Sequence, residues 1–211
     1  MEVGSCLYRL RLGLGGIADT VPVAEIKSSS AASEVLSNLI TRPPLAIANT
    51  RATIPIPRHL QQALSFTPAL VVVIGTDCKD IRPENVLDFI AGYTAAIDFG
   101  SQRNSSSNIS RSFDQCLPTG PCIVSTRLLR ETSGLRVKVS VNGEGRGEGR
   151  TKDEVMNVVS ELSRGTTLQA GSLVTLTVEV STKHSRPLED GDEVAVDIVG
   201  IGKCVSTVYF D

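Results

Sequence analysis

The segment Phe66 to Gly75, Phe-Thr-Pro-Ala-Leu-Val-Val-Val-Ile-Gly, constrains this chain more than any other. Leu70 to Ile74 is a continuous apolar, largely β-branched run bounded by Pro68 and Gly75, the pattern of a strand buried on both faces. Such a strand belongs to the scaffold of a fold, because changes to buried apolar residues damage the core. Downstream, Pro83 suits the first turn of a helix, Val86, Leu87 and Ile90 fall on one helical face, and Gly92 stops it. The expected order is therefore strand, helix, and a second strand reaching Asp98.

The remaining elements are shorter. Leu10, Leu12 and Leu14 alternate with Arg9, Arg11 and Gly13, as in a strand, and Gly15-Gly16 breaks the pattern. Val35, Leu36, Leu39 and Ile40 are spaced for a short helix ending near Thr41, after which Pro43-Pro44 forces extended chain. Thr53 to Pro57 is extended and interrupted by proline, which suits a sheet edge. Residues 101–112 are polar and serine-rich, the composition of a surface loop.

The C-terminal half carries clearer signals. Leu135, Val137, Val139 and Val141 alternate with polar residues, and Asn142-Gly143 marks a turn. Thr151-Lys-Asp-Glu154 has the form of a capping box ahead of Val155, Val158, Val159 and Leu162 at helical spacing, with Gly165 closing the helix. Leu173 to Val180 and Glu193 to Val199 are expected strands, with Asp190-Gly191 as a turn between them. The whole reads as a β-rich α+β fold with few short helices.

Composition excludes several functions. A formal net charge of −2, with Lys and Arg scattered, leaves no basic footprint for nucleic acid. No apolar stretch approaches the roughly 20 residues that span a bilayer, and Met1-Glu2 does not open a secretory signal, so a cytoplasmic protein with no membrane partner is expected. The five cysteines lack metal-finger spacing and are expected to be free thiols. Gly143 to Gly149, Gly-Glu-Gly-Arg-Gly-Glu-Gly, lacks the Gly-Lys-Ser/Thr ending of a phosphate loop and carries glutamates that repel phosphate, so a flexible hairpin end is expected. His59 and His184 stand in no nucleophile motif.

Several collinear motifs resemble the fumarylacetoacetate hydrolase superfamily. Ala69 to Gly75 and Gly92-Tyr-Thr-Ala-Ala-Ile-Asp98 are similar to the central strands of that family. Arg111-Ser-Phe-Asp-Gln-Cys-Leu-Pro-Thr-Gly-Pro121 looks like its Lys-x-Phe-Asp segment with arginine for lysine. Leu135 to Glu144, Leu162 to Gly171, Pro187 to Asp192 and Ile198 to Gly202 resemble its later motifs, so the likeness spans about Pro44 to Val208. It implies a mixed-sheet fumarylacetoacetase-like domain over 44–211, behind a small N-terminal segment, 1–43, of strand plus lid-like helix.

The chemistry implied by the resemblance is altered at its centre. The family holds a divalent metal with two glutamates and an aspartate; here those positions fall on Thr67, Ala69 and Asp98. A hard cation such as magnesium needs several oxygen ligands, usually with one or two carboxylates, so no Mg or Mn cofactor is expected. The His-x-x-Glu lid motif aligns with Ala31-Ala-Ser-Glu34, keeping only Glu34. The family's Phe-x-Lys-Pro falls on Ile47 to Thr50, with Asn49 at the cation position, and its Thr-Gly-Thr-Pro turn on Leu176-Thr177-Val-Glu179. Catalytic candidates are Asp98 and Glu34 as acid–base groups and Arg111 as binder of a planar oxyanion. Substrate-binding candidates are Asn49, Ser101, Arg103 and Thr177. Asp98 has a second reading, as a carboxylate paired with an arginine such as Arg103 or Arg111.

The resemblance thus implies a small-molecule substrate with a 1,3-dicarbonyl or 2-oxo-acid unit. The expected reaction is an isomerase, cyclase, lyase or C–C hydrolase step without a metal, with secondary metabolism as a setting. A catalytically inactive scaffold of the same fold is the alternative, and a metal-dependent hydrolase or decarboxylase with replacement ligands a minor one. A homodimer is implied by the family.

Overall fold

β4 (Leu64–Ile74) and β5 (Ile90–Ser101) are long antiparallel partners at the centre of the molecule, running in continuous register from Leu64↔Ser101 to Val73↔Gly92. The computed structural model of the protein describes residues 24–26, 42–101, 112–182 and 186–211. Around this pair the chain forms a six-stranded sheet with β1 (Ala24–Ile26), β2 (Ile47–Asn49), β6 (Leu117–Val124) and β9 (Leu173–Thr177), in the order β1-β9-β4-β5-β6-β2. The edge strands β1 and β2 run parallel to their neighbours, the inner pairs antiparallel, so the sheet is mixed.

A second six-stranded sheet packs against it. β3 (Thr53–Ile56), β7 (Arg136–Val141), β8 (Glu144–Arg150), β10 (Val180–Thr182), β11 (Glu193–Ile198) and β12 (Gly202–Phe210) lie in the order β10-β8-β7-β11-β12-β3. One α-helix among the described residues, α1 (Val155–Ser163), buries Val155, Val158, Val159 and Leu162.

Period-two alternation decides which residues meet. Leu70, Val72 and Ile74 of β4, with Tyr93, Ala95, Ile97 and Phe99 of β5, face the second sheet and share a core with Val137, Val139, Val194, Val196 and Ile198. Ala69, Val71 and Val73 point the other way and cluster with Ala96, Leu117 and Leu173. The run from Leu70 to Ile74 is thus buried on both faces, as its composition requires, each such side chain contributing about 1.5–3 kcal/mol. The fold is α+β and β-rich, with few short helices.

The structure corrects four local expectations. Residues 83–91 do not form an α-helix: Pro83–Asp88 is a short 3-10 helix, Ile90 opens β5, and Gly92 lies within that strand. Periodicity over one turn cannot distinguish these outcomes. The glycine-rich stretch after Asn142-Gly143 is a paired strand, β8, held by β7 and β10. The capping box does not form: α1 starts from Glu154 without a side-chain cap, and the Thr151 hydroxyl instead donates to the Thr132 carbonyl and accepts from the Leu135 N–H. Leu173 to Val180 is split between β9 and β10. The expected N-terminal strand, the helix near residues 33–41 and most of the serine-rich loop lie outside the described residues.

Candidate active site

The face of β4 that carries Ala69 and Val71 also carries Thr67, and Thr67 pairs directly with Asp98 across the β4–β5 ladder. Ala69 pairs with Ala96 on one side and Thr177 of β9 on the other, so Thr67, Ala69, Asp98 and Thr177 share one sheet face. Backbone pairing therefore assembles the positions the sequence comparison singled out, with one carboxylate left among them.

That carboxylate is engaged by a residue the sequence reading did not name. Nη2 of Arg42 lies 2.6 Å from both Oδ1 and Oδ2 of Asp98, and the two side chains are 0% and 1% exposed. Nη1 of the same guanidinium donates to Cys116 Sγ at 3.2 Å. Pro43, at φ −67 and ψ 154, and the 3-10 turn Pro44–Ala46 fix the chain that follows Arg42 as it enters β2. The backbone N–H of Gln115 bonds to the Leu45 carbonyl, and that of Phe99 to the Cys116 carbonyl, which ties Arg42's segment to Cys116 and β5.

Electrostatics follow from this closure. Bringing an arginine and an aspartate out of water is costly, and the close charge-assisted contact offsets that cost. Burial pushes the Cys116 thiol up to about 12, overriding the lowering pull of Arg42, so the group remains protonated and is not a nucleophile. Cys78, Cys116, Cys122 and Cys204 are all free, with Cys122 alone of these four exposed.

The residues present do not fit a divalent cation. Thr67 offers one neutral hydroxyl, Ala69 none, and both oxygens of Asp98 face a guanidinium whose charge repels a metal. Among the described residues no group of three or more His, Cys, Asp or Glu is placed to hold a metal ion. Asp77 and Asp80, which follow the opposite end of β4, are used there: Asp77 accepts the Ala170 N–H and Asp80 the Gly165 N–H, each at 2.7 Å.

Of the remaining candidates, Ser101 is buried at the end of β5, while Asn49 is exposed at the end of β2. Asn49 pairs with Thr119, which in turn pairs with Ala96, so it shares the Asp98 face, and it lines an open groove of about 530 Å³ with Thr50, Arg51, Asp114 and Gln115. Glu34, Arg103, Arg111 and His184 lie outside the described residues. Two further polar groups were missed: Thr94 and Thr175 flank Val71 on the Asp98 face, both buried, with hydroxyls that have no hydrogen-bond partner among the described residues. Their signal was available, since Thr94 directly precedes Ala95-Ala96-Ile97 and Thr175 stands between Val174 and Leu176.

Comparison with known proteins agrees with this fold. Residues 16–209 match the family described as fumarylacetoacetate (FAA) hydrolase C-terminal. The 4-hydroxyphenylacetate degradation bifunctional isomerase/decarboxylase of Salmonella dublin is 31% identical over 157 residues, 69% of this chain and 35% of that protein. The oxaloacetate tautomerase YisK of Bacillus subtilis is 29% identical over 175 residues, 78% of this chain and 58% of that protein. This chain thus spans about a third and somewhat over half of these two curated relatives. Among solved structures, 2-hydroxyhepta-2,4-diene-1,7-dioate isomerase from Mycobacterium marinum superposes with a TM-score of 0.77 at 26% identity, covering 92% of this chain and 77% of that one. The 5-carboxymethyl-2-hydroxymuconate delta-isomerase of Mycobacterium smegmatis gives 0.72 at 26% identity, covering 94% and 73%.

Proposed function

This chain belongs to the fumarylacetoacetate hydrolase family, and from that membership we propose that it acts on an enolisable 2-oxo acid or 1,3-dicarbonyl compound without a divalent metal. The observation that carries the reading is the Arg42–Asp98 pair, which puts a permanent positive charge beside the carboxylate the family uses for its metal. Relatives named as isomerases, a decarboxylase and a tautomerase support the substrate class.

In this reading Asp98 is an anchor rather than a base, because both of its carboxylate oxygens are taken up by the Arg42 guanidinium. Arg42 lowers the cost of negative charge on a substrate oxygen, and the Thr67 and Thr177 hydroxyls are the donors on the same face. Glu34 moves the proton between the carbon next to the carbonyl and solvent, while Arg111 binds the substrate carboxylate. The bond electrons released at carbon go to the carbonyl oxygen and return on reprotonation. Asn49, Ser101 and Arg103 complete substrate binding. The same reading includes a homodimer in the cytoplasm with no metal cofactor and no nucleic-acid or membrane partner.

A second reading, a non-catalytic family member, is favoured by the near-complete burial of Arg42 and Asp98, which leaves the guanidinium without solvent access. Hydrogen–deuterium exchange at carbon 3 of oxaloacetate, followed by NMR in excess chelator, separates the two. The metal-independent enzyme gives exchange above the buffer rate that magnesium does not increase and that Arg42→Gln reduces by about tenfold or more, the effect of losing one oxyanion-stabilising group. No exchange with oxaloacetate or other 2-oxo acids supports the non-catalytic member, and exchange that appears only with magnesium contradicts both.

A further inference from the structure

A second polar constellation lies on the other side of β4. Phe66 and Pro68 alternate with Thr67 and Ala69 and so face away from Asp98. They border a cavity of about 430 Å³ between the ends of the two sheets, lined also by Ser65, Val139, Val141, Arg146 and Leu188. The walls are polar and apolar in about equal parts, and the charge comes from Arg146 and from Arg186 at the rim.

The local sequence places Arg146 there. Val139 pairs with Gly147 and Ser140 with Gly145, so Arg146 is the extra residue of a β-bulge in β8. Bulges re-aim side chains, and this one turns an arginine toward the inward-facing valines of β7. Glycines on both sides, Gly145 and Gly147, give the backbone freedom to form it. The stretch has no phosphate-loop ending, yet it delivers a cation to a cavity bordered by Phe66, Pro68, Val139, Val141 and Leu188.

The two arginines are not equivalent. Arg186 is neutralised by Asp192, its Nη atoms lying 2.9 and 2.7 Å from the two carboxylate oxygens, and Glu189 stands 3.5 Å away. Arg146 is half-buried, and its Nε is shielded from solvent with no hydrogen-bond partner among the described residues. A buried guanidinium N–H left unmade is costly, and the planar Nε–Nη edge matches a carboxylate in two parallel hydrogen bonds.

We propose that this cavity binds a small monocarboxylate with an apolar body, its carboxylate on the Nε edge of Arg146 and its body against Phe66, Pro68, Val139, Val141 and Leu188. The acids around the rim, Glu144, Glu189 and Asp192, limit the anion to a single charge, since Asp192 already offsets Arg186 and the uncompensated cation is Arg146 alone. This site stands apart from the Asp98 face and does not depend on the activity assigned to it.

Titration of the full chain with 3-phenylpropionate, followed by methyl NMR and calorimetry, tests the proposal. Saturable binding that shifts the methyls of Val139, Val141 and Leu188 is expected, with neutral 3-phenylpropionamide at least tenfold weaker. Arg146→Gln should weaken the acid at least tenfold, Arg146→Lys should lie between, and Arg51→Gln, at an exposed site elsewhere, should leave it unchanged. The proposal is overturned if a panel of apolar monocarboxylates gives no saturable binding, if the amide binds as well as the acid, or if folded Arg146→Gln and Arg146→Lys keep full affinity. Shifts confined to Val73 and Leu117, on the Asp98 side, overturn it as well.

Discussion

Alanine at Arg42 or at Asp98 is expected to lower folding stability by about 3–5 kcal/mol, the range for removing one partner of a buried ion pair. Urea denaturation monitored by circular dichroism measures this directly. Arg42→Ala leaves a buried carboxylate beside a protonated thiol, and Asp98→Ala leaves a guanidinium enclosed in the core. The double variant Arg42→Met with Asp98→Leu should recover most of the loss, because an apolar pair of similar volume avoids both desolvation penalties. A coupling of about 2 kcal/mol or more in the cycle is the signature of the pair. Losses below about 1 kcal/mol in the single variants would mean that the charges reach water and that the site is more open than its burial indicates.

The other large effect is steric. Alanine at Gly92 would place a Cβ 2.7 Å from Ile123 Cγ2 and 2.8 Å from the carbonyl carbon of Val124, with the carbonyl oxygen nearer still. The clash is with the backbone of the strand packed beside β5, so it cannot be relieved by a side-chain rotation. Gly92→Ala is therefore expected to cost about 3 kcal/mol, the upper part of the range for overpacking. Gly165→Ala provides the contrast: no atom lies within 4 Å of its Cβ, and its cost comes only from a φ of +68. A loss at Gly92 no larger than at Gly165 would show that β5 and the segment at Val124 can separate.

Gly92 also shows where reading from sequence stops. Over residues 83–92 the apolar spacing fits a helix, and glycine is a common helix terminator; the alternative, a glycine required by close approach of another strand, depends on Ile123 and Val124, some thirty residues away. The central strand was legible because Leu70 to Ile74 has a composition that only double-sided burial explains. Val137, Val139 and Val141 were legible for the complementary reason, strict alternation. Gly145 to Gly149 was not, because β8 takes its order from pairing on both sides rather than from its own residues.

The same division runs through the site. The loss of carboxylates at Thr67 and Ala69 could be read directly, since those positions sit beside the strand that anchors the alignment. The partner of Asp98 could not. Arg42 lies between Leu39-Ile40-Thr41 and two prolines, 56 residues from Asp98, and nothing local marks it as that carboxylate's partner. Only the path set by Pro43 and Pro44, and the docking of Leu45 on Gln115, brings the guanidinium to Asp98. From sequence, the alternative to an acid–base role for Asp98 is a pairing with Arg103 or Arg111 in the following loop, the natural choice when only nearby residues can be weighed.

The proposed metal-independent chemistry requires that no divalent cation bind beside Asp98, and calorimetric titration of the full chain with manganese, with and without oxalate, tests that most directly. No binding heat is expected up to millimolar manganese in either case, because Asp98 is held by a guanidinium and Thr67 and Ala69 contribute no charge. Saturable manganese binding at micromolar concentration, strengthened by oxalate and abolished by Asp98→Ala, would contradict it.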